Sequence, residues 1–154
     1  MKLDDKDVLL LKLLQADARQ TNKVLSVKTG LSVTAVFERI RKMEREGIVS
    51  RYVALLDKKK INLPFQVFCH IRLVQHSRDY LTRFEAQVKQ LEEVHECFHV
   101  SGDYDYILKI YVANMEAYRE FMVSKLTTLD HIGSTHSSFV ISEVKNSTAF
   151  SVKI

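Results

Sequence analysis

Residues 32–46 carry side chains whose types and spacing suit the reading of a nucleic acid. Val33, Val36, Phe37, Ile40 and Met43 recur at helical spacing and form an apolar stripe. The opposite face then shows Thr34, Ala35, Glu38, Arg39, Arg41, Lys42 and Arg45, with Ser32 in the capping position. On a helix laid in a major groove, residues near its N-terminus meet base edges. Thr34 and Ala35 fit a thymine methyl, Glu38 accepts from the cytosine amino group, and Arg39 or Lys42 reaches guanine or a phosphate. A solvated amphipathic helix would show the same pattern, because four basic and three acidic residues leave this stretch barely positive. The surroundings favour DNA: Lys2, Lys6, Arg19, Lys23, Lys28, Arg51 and Lys58 to Lys60 can flank the helix along a phosphate backbone.

A second constellation, His95, Cys97 and His99, has ligand chemistry and a spacing of two, which predicts all three on one face of a strand. Three ligands in a straight line cannot surround an ion, so a metal site would need His70, His131 or another subunit. The reading is a packed or interface cluster and no metal. Cys69 and Cys97 form no CxxC pair and are expected to be reduced packing residues. Ser, His and Asp all occur, but there is no GxSxG elbow, no phosphate-binding glycine loop and no HExxH. No catalytic residue is assigned and an enzyme is not expected.

These side chains need elements to position them, and the composition says what kind. The 154 residues are 46% hydrophobic and 27% charged, with four glycines and one proline, so most of the chain sits in helices or strands around a real core. The net charge of +4 is uneven: residues 1–60 carry 14 basic and 8 acidic residues, residues 61–154 carry 9 and 11. A basic front half points to an anionic partner. Apolar runs such as Val8 to Leu11 are far too short to span a bilayer, and the start Met1-Lys2-Leu3-Asp4-Asp5 lacks the charge pattern of a secretory signal. The expectation is a cytoplasmic, nucleoid-associated protein without membrane contact.

Asp4 or Asp5 caps a first helix with Leu10, Leu11 and Leu14 inward, running to about Ala16. A second helix spans Asn22 to Thr29 and stops at Gly30; the third runs from the Ser32 cap to Gly47. Ile48 to Leu56 is β-branched and aromatic and reads as a strand, closed by the charge run Asp57 to Lys60, which is taken as the domain boundary. Residues 1–60 are thus expected to be a winged helix-turn-helix with a hinge strand. From residue 61 the period changes. Phe65, Val67, Cys69, Ile71 and Leu73 alternate as a strand; Leu81, Phe84, Val88 and Leu91 follow helical spacing. Val94 to Val100 and Tyr104 to Val112 read as strands joined by a tight Ser101-Gly102-Asp103 hairpin. A helix over Tyr118, Phe121, Met122 and Leu129 and a strand from Ser134 to Glu143 complete a β-α-β-β-α-β order. Residues 61–154 are therefore expected to be ferredoxin-like, and the whole chain is α+β. The sheet face not covered by helices predicts at least a homodimer.

Leu3-Asp4, Asp7, Leu10-Leu11, Leu14-Gln15, Asp17 and Arg19, followed by Gly30-Leu31-Ser32, Thr34, Glu38-Arg39-Ile40, Met43-Glu44 and Gly47-Ile48, resemble the Lrp/AsnC family of feast/famine regulators. Val94, Glu96-Cys97, Val100 to Tyr106 and Glu143-Val144-Lys145 resemble the effector domain of the same family, so the likeness covers essentially the whole chain. Val33 stands where the family often has Pro, which removes some pre-organisation of the third helix; Ser26 stands where Ala is usual and Ala18 where Gly is common.

The resemblance implies a transcriptional regulator whose C-terminal domains dimerise through their sheets, assemble to octamers and bind a small amino acid between dimers. An amino acid needs a carboxylate for its ammonium, donors for its carboxylate and an apolar lining. Asp103 and Asp105 suit the first, Ser101, Gly102, Ser134, Thr135 and Ser137 the second, and Tyr104, Met115, Phe139 and Val140 the third. Asp105, Met115 and Phe139 match positions the family associates with effector response. Leucine or methionine is the expected effector, altering how dimers associate on DNA. The alternative is an architectural DNA-binding protein that ignores effectors.

Overall fold

The computed structural model describes residues 2–153. They form two compact units. One is the chain up to Leu55 together with the segment from Val144; the other is Leu56–Glu143.

The first unit holds three helices, α1 (Asp5–Ala16), α2 (Asn22–Thr29) and α3 (Val33–Arg45). Their ends are set by local chemistry. Asp4 and Asp7 form a reciprocal capping box at α1, the Thr21 and Ser32 hydroxyls accept from backbone N–H groups at the starts of α2 and α3, and Gly30 ends α2 at φ 70°. Leu10, Leu11, Leu25, Val36 and Met43 are buried at the centre, with Leu14, Leu31, Ile40 and Val49 packed around them. The expected strand from Ile48 to Leu56 does not form: the N–H groups of Ile48 and Val49 both turn back to the Met43 carbonyl, and no strand is assigned in this unit among the described residues. A β-rich composition makes a strand only where a second strand supplies hydrogen bonds.

The C-terminal segment closes the unit. The Gln15 amide pairs with the Phe150 backbone in both directions, accepting from its N–H at 2.6 Å and donating to its carbonyl at 3.1 Å. Val152 packs on the helical core. The division thus falls after Leu55 and again before Val144, whereas the charge pattern placed a single boundary at residue 60 and left this tail in residues 61–154.

The second unit is an antiparallel sheet carrying two helices: β1 (Phe65–Leu73), α4 (Arg78–Val88), β2 (Val94–His99), β3 (Tyr106–Val112), α5 (Met115–Ser124) and β4 (Ile132–Phe139). The strand order is β2-β3-β1-β4. Alternate residues Val67, Cys69, Ile71 and Leu73 of β1 and Tyr106, Leu108, Ile110 and Val112 of β3 are buried in one core with Phe84 and Val88 of α4 and Tyr118 and Phe121 of α5. This is the ferredoxin-like β-α-β-β-α-β arrangement. The opposite face carries Phe68, His70 and Arg72 of β1, in register with Ser138, His136 and Ser134 of β4.

Three boundaries differ from those read in the sequence. The β2–β3 connection is Val100 to Asp105, longer than a tight turn, because Asp105 uses its N–H to bond the Ile71 carbonyl and its carboxylate to bond the Leu73 N–H before β3 begins. β4 ends at Phe139 and not Glu143, since β1 starts at Phe65 behind Pro64 and offers nothing beyond the Gln66 carbonyl, which takes the Val140 N–H. A bulge between Val94 and Glu96 breaks the expected alignment of His95, Cys97 and His99. Cys97 and His99 lie opposite Leu108 and Tyr106 of the helix-covered face, while the His95 ring meets Tyr111, which lies opposite Gln66, edge-on at 5.5 Å. Among the described residues no group of three His, Cys, Asp or Glu side chains is placed to hold a metal ion. Burial raises the Cys69 thiol above its ordinary range, and it pushes the Cys97 thiol up to about 11, although Cys97 is exposed and is not the packing residue expected.

Candidate DNA-reading helix and ligand domain

α3 is held against α1 by one ion-pair cluster. Arg39 Nη1 lies 2.7 Å from Asp4 Oδ2 and 2.7 Å from Asp7 Oδ1, and the Asp7 side chain is only 3% exposed. Hydrogen bonds to the two carboxylates, that to Asp4 foremost, raise the guanidinium above its usual range and keep it charged. Arg39 is therefore engaged by α1 while 31% of its side chain stays exposed, and this pairing competes with the role as a base or phosphate contact read in the sequence.

The remaining candidates sit where DNA contact is possible. Thr34, Glu38, Arg41, Lys42 and Arg45 are all exposed, Ala35 is half-buried, and the Ser32 hydroxyl is engaged in its cap, accepting from Ala35 N–H at 3.1 Å. Behind them Val36 and Met43 are fully buried. Val33 and Phe37, assigned to the same buried stripe, are instead 47% and 42% exposed, and the Arg41 guanidinium lies 5.4 Å above the Phe37 ring. At the C-terminal turn Tyr52 donates to Glu44 at 2.9 Å, and burial first, then Glu44, push its hydroxyl up to about 12. Some flanking cations already have partners: Lys6 bonds the Thr29 carbonyl and Lys28 the Gln20 amide.

In the second unit the proposed effector residues fall in two groups. Asp103 receives Arg72 on its carbonyl at 2.9 and 2.5 Å, Arg72 lies opposite Ser134, and its guanidinium stands 5.9 Å over Tyr104. Tyr104 also meets the His70 ring at 4.9 Å. Ser101, Gly102 and Asp103 are exposed, Gly102 at φ 124°, where its lack of a side chain is needed. Asp105, by contrast, is 4% exposed, with Oδ2 accepting from Leu73 N–H at 2.7 Å and Oδ1 2.9 Å from His76 Nδ1. Thr135 lies opposite Ile71 in this half of the sheet.

The other group lies at the far end of β1 and β4. Ser137 is bonded to the Tyr118 hydroxyl at 2.6 Å, Phe139 packs on Phe65 and edge-on to Tyr118 at 5.8 and 5.6 Å, and Val140 follows it. Met115, half exposed, opens α5 just after Val112, which pairs with Phe65. From Leu73, which Asp105 bonds, to Val67, opposite Phe139, is six residue steps or about 20 Å, with Thr135 and Ser137 two steps apart in between. Sequence spacing did not show this separation, nor the use of Asp105 inside the fold.

Residues 3–50 match the winged helix-turn-helix DNA-binding model, and residues 66–150 match the Lrp/AsnC ligand binding domain. A DNA-binding half followed by a ligand-binding half, each with the geometry above, defines a transcriptional regulator and not an enzyme. Among curated relatives, the chain is 40% identical to the leucine-responsive regulatory protein of Salmonella typhimurium over 98% of its own length and 92% of the relative. It is 42% identical to the glutamate uptake regulatory protein of Zymomonas mobilis, over 96% and 89%. A Neisseria meningitidis transcriptional regulator crystallised with L-methionine superposes with a TM-score of 0.93 at 33% identity, covering 97% of this chain and 96% of that one. An AsnC family regulator from Agrobacterium tumefaciens gives 0.91 at 36% identity, over 96% of both chains. The chain belongs to the Lrp/AsnC family. No described helix is long and apolar enough to cross a membrane.

Proposed function

We propose that this regulator reads double-stranded DNA with the exposed face of α3 and answers to a small apolar amino acid, of the leucine or methionine class, bound by its C-terminal domain. The observation that carries the effector half is the match along 97% of the chain to a regulator crystallised with L-methionine. The two separated groups support a site shared between copies. Ser101 to Asp105 with Ser134 and Thr135 offer polar partners, and Met115, Phe139 and Val140 offer an apolar surface with Ser137 between them; Asp105, bonded at Leu73, and Phe139, opposite Val67, are too far apart along β1 to close on one ligand within one chain. A homodimer formed through the open sheet faces, assembling further to an octamer, brings such half-sites together, and effector acts by favouring one assembly over another. A protein working in this way acts on the nucleoid in the cytoplasm.

Screening the twenty amino acids by thermal unfolding tests the effector. Leucine or methionine at a hundredfold excess over Kd should add about 2.7 kcal/mol and raise Tm by several degrees. No shift with any amino acid identifies the effector-independent architectural alternative. For DNA, Lys42→Ala should weaken duplex binding and lower the slope of log K against log salt by about one, as expected for one lost phosphate contact. An unchanged slope and affinity would remove the Lys42 face of α3 from the interface.

A further inference from the structure

Val33 and Phe37 are large apolar residues, one turn apart on α3, that stay 47% and 42% exposed although Val36 and Met43 on the same helix are fully buried. Their stripe continues to Arg41, whose guanidinium lies 5.4 Å above the Phe37 ring, and it runs beside the exposed polar row Thr34, Glu38, Lys42 and Arg45. The helix thus offers a narrow apolar ridge flanked by cations on the face available to a major groove.

We propose that Val33 and Phe37 are specificity-determining residues that read thymine 5-methyl groups, with Arg41 held on the Phe37 ring so that its N–H edge meets an adjacent guanine or phosphate. This rests on α3 being the DNA-reading helix. Thymine alone among the natural DNA bases presents an apolar group in the major groove; the other bases present donors and acceptors that an apolar side chain would strip of water without replacement. A guanidinium stacked on an aromatic ring keeps its in-plane N–H groups free, and its fixed position lowers the ordering cost of a bidentate contact. Two apolar contacts beside one arginine favour sites in which thymines neighbour a guanine.

The test removes the methyl from the DNA and leaves the protein intact. Duplexes enriched from a random pool by the full-length protein are resynthesised with deoxyuridine in place of thymidine, which deletes only the C5 methyl groups. Binding is then followed by fluorescence anisotropy. Affinity should fall about fourfold for each contacted methyl, the worth of one buried methyl group. Val33→Ala and Phe37→Leu, checked for unaltered melting, should bind thymidine duplexes more weakly than the parent and lose less on the change to deoxyuridine. Equal affinity of the parent for both DNAs overturns the proposal, as does an undiminished thymidine preference in the folded variants. The underlying reading fails differently: the pool then yields no preferred duplex, or Lys42→Ala leaves binding unchanged.

Discussion

Arg39→Ala should destabilise the N-terminal unit by about 2–3 kcal/mol while leaving the salt dependence of DNA binding as it was. Asp7 is buried to 3% side-chain exposure, and among the described residues Arg39 is the cation that reaches it. Removing one partner of a buried pair costs about 3–5 kcal/mol when the other charge is stranded. The cost is smaller here because Arg39 is itself 31% exposed and Asp7 Oδ2 keeps the Asp4 N–H at 3.1 Å. Hydrogen exchange of α1 and α3 amides in the full chain reads the loss directly, without requiring both units to unfold together. Asp7→Asn, which removes the charge but retains an acceptor, should cost less.

The pH dependence of that unit follows from Asp4. Its carboxyl lies below the ordinary 3.8, chiefly because the Asp7 N–H bonds it and secondly because Arg39 does. A carboxyl lowered in the folded state contributes stability that is present above pH 3.8 and lost as pH falls through the lower folded value. Arg39, raised from 12.5, stays charged throughout. In DNA binding, Arg39→Ala should reduce affinity only as far as it depopulates the folded unit. A salt slope reduced by about one in a fully stable Arg39→Ala variant would show instead that the guanidinium touches phosphate.

The sequence was legible wherever a few neighbouring residues decide the structure. The Ser32 cap, Gly30 and the 65–73 alternation place α2, α3 and β1 at the residues expected, because caps and pleats are local. Long-range pairing was not legible. Residues 48–56 have strand composition, yet their backbone has no assigned partner strand among the described residues. The bulge at Val94/Glu96, which separates His95 from Cys97 and His99, depends on how β2 meets β3. In α3, helical periodicity puts Val33 and Phe37 inward, but a core of Leu10, Leu11 and Leu25 covers the Val36, Ile40 and Met43 strip of the helix. Arg39 looked like a DNA ligand because its partners Asp4 and Asp7 lie more than thirty residues away. The sequence offers Asp4 or Asp5 as the cap of α1; the cap is Asp4 with Asp7 reciprocating, and the remaining oxygens of these two are what α3 uses.

Asp105 poses the same question in the ligand domain, and two substitutions separate its roles. The residue joins the end of β1 to the loop before β3: its N–H donates to the Ile71 carbonyl at 2.8 Å, its carbonyl accepts from Val100 at 2.9 Å, and its Oδ2 accepts from the buried Leu73 N–H at 2.7 Å. Asp105→Ala leaves that N–H without an acceptor in a site closed to water. We expect the C-terminal unit to lose about 2–3 kcal/mol. Asp105→Asn retains an oxygen for Leu73 and should lose about 1 kcal/mol, so it folds and can be assayed. The other oxygen, Oδ1, meets His76 Nδ1 at 2.9 Å, and that side chain is 74% exposed, so an effector ammonium takes the place of an exposed imidazole and the Leu73 contact is left intact. On this account Asp105→Asn should weaken amino-acid binding at least tenfold with the fold intact, since an amide cannot replace the charge of a carboxylate toward an ammonium. His76→Ala, which removes the competing partner, should tighten it. If Asp105→Asn binds the amino acid as well as the parent does, the ammonium has another partner, with Asp103 exposed in the same loop the first to test, and Asp105 serves the fold alone.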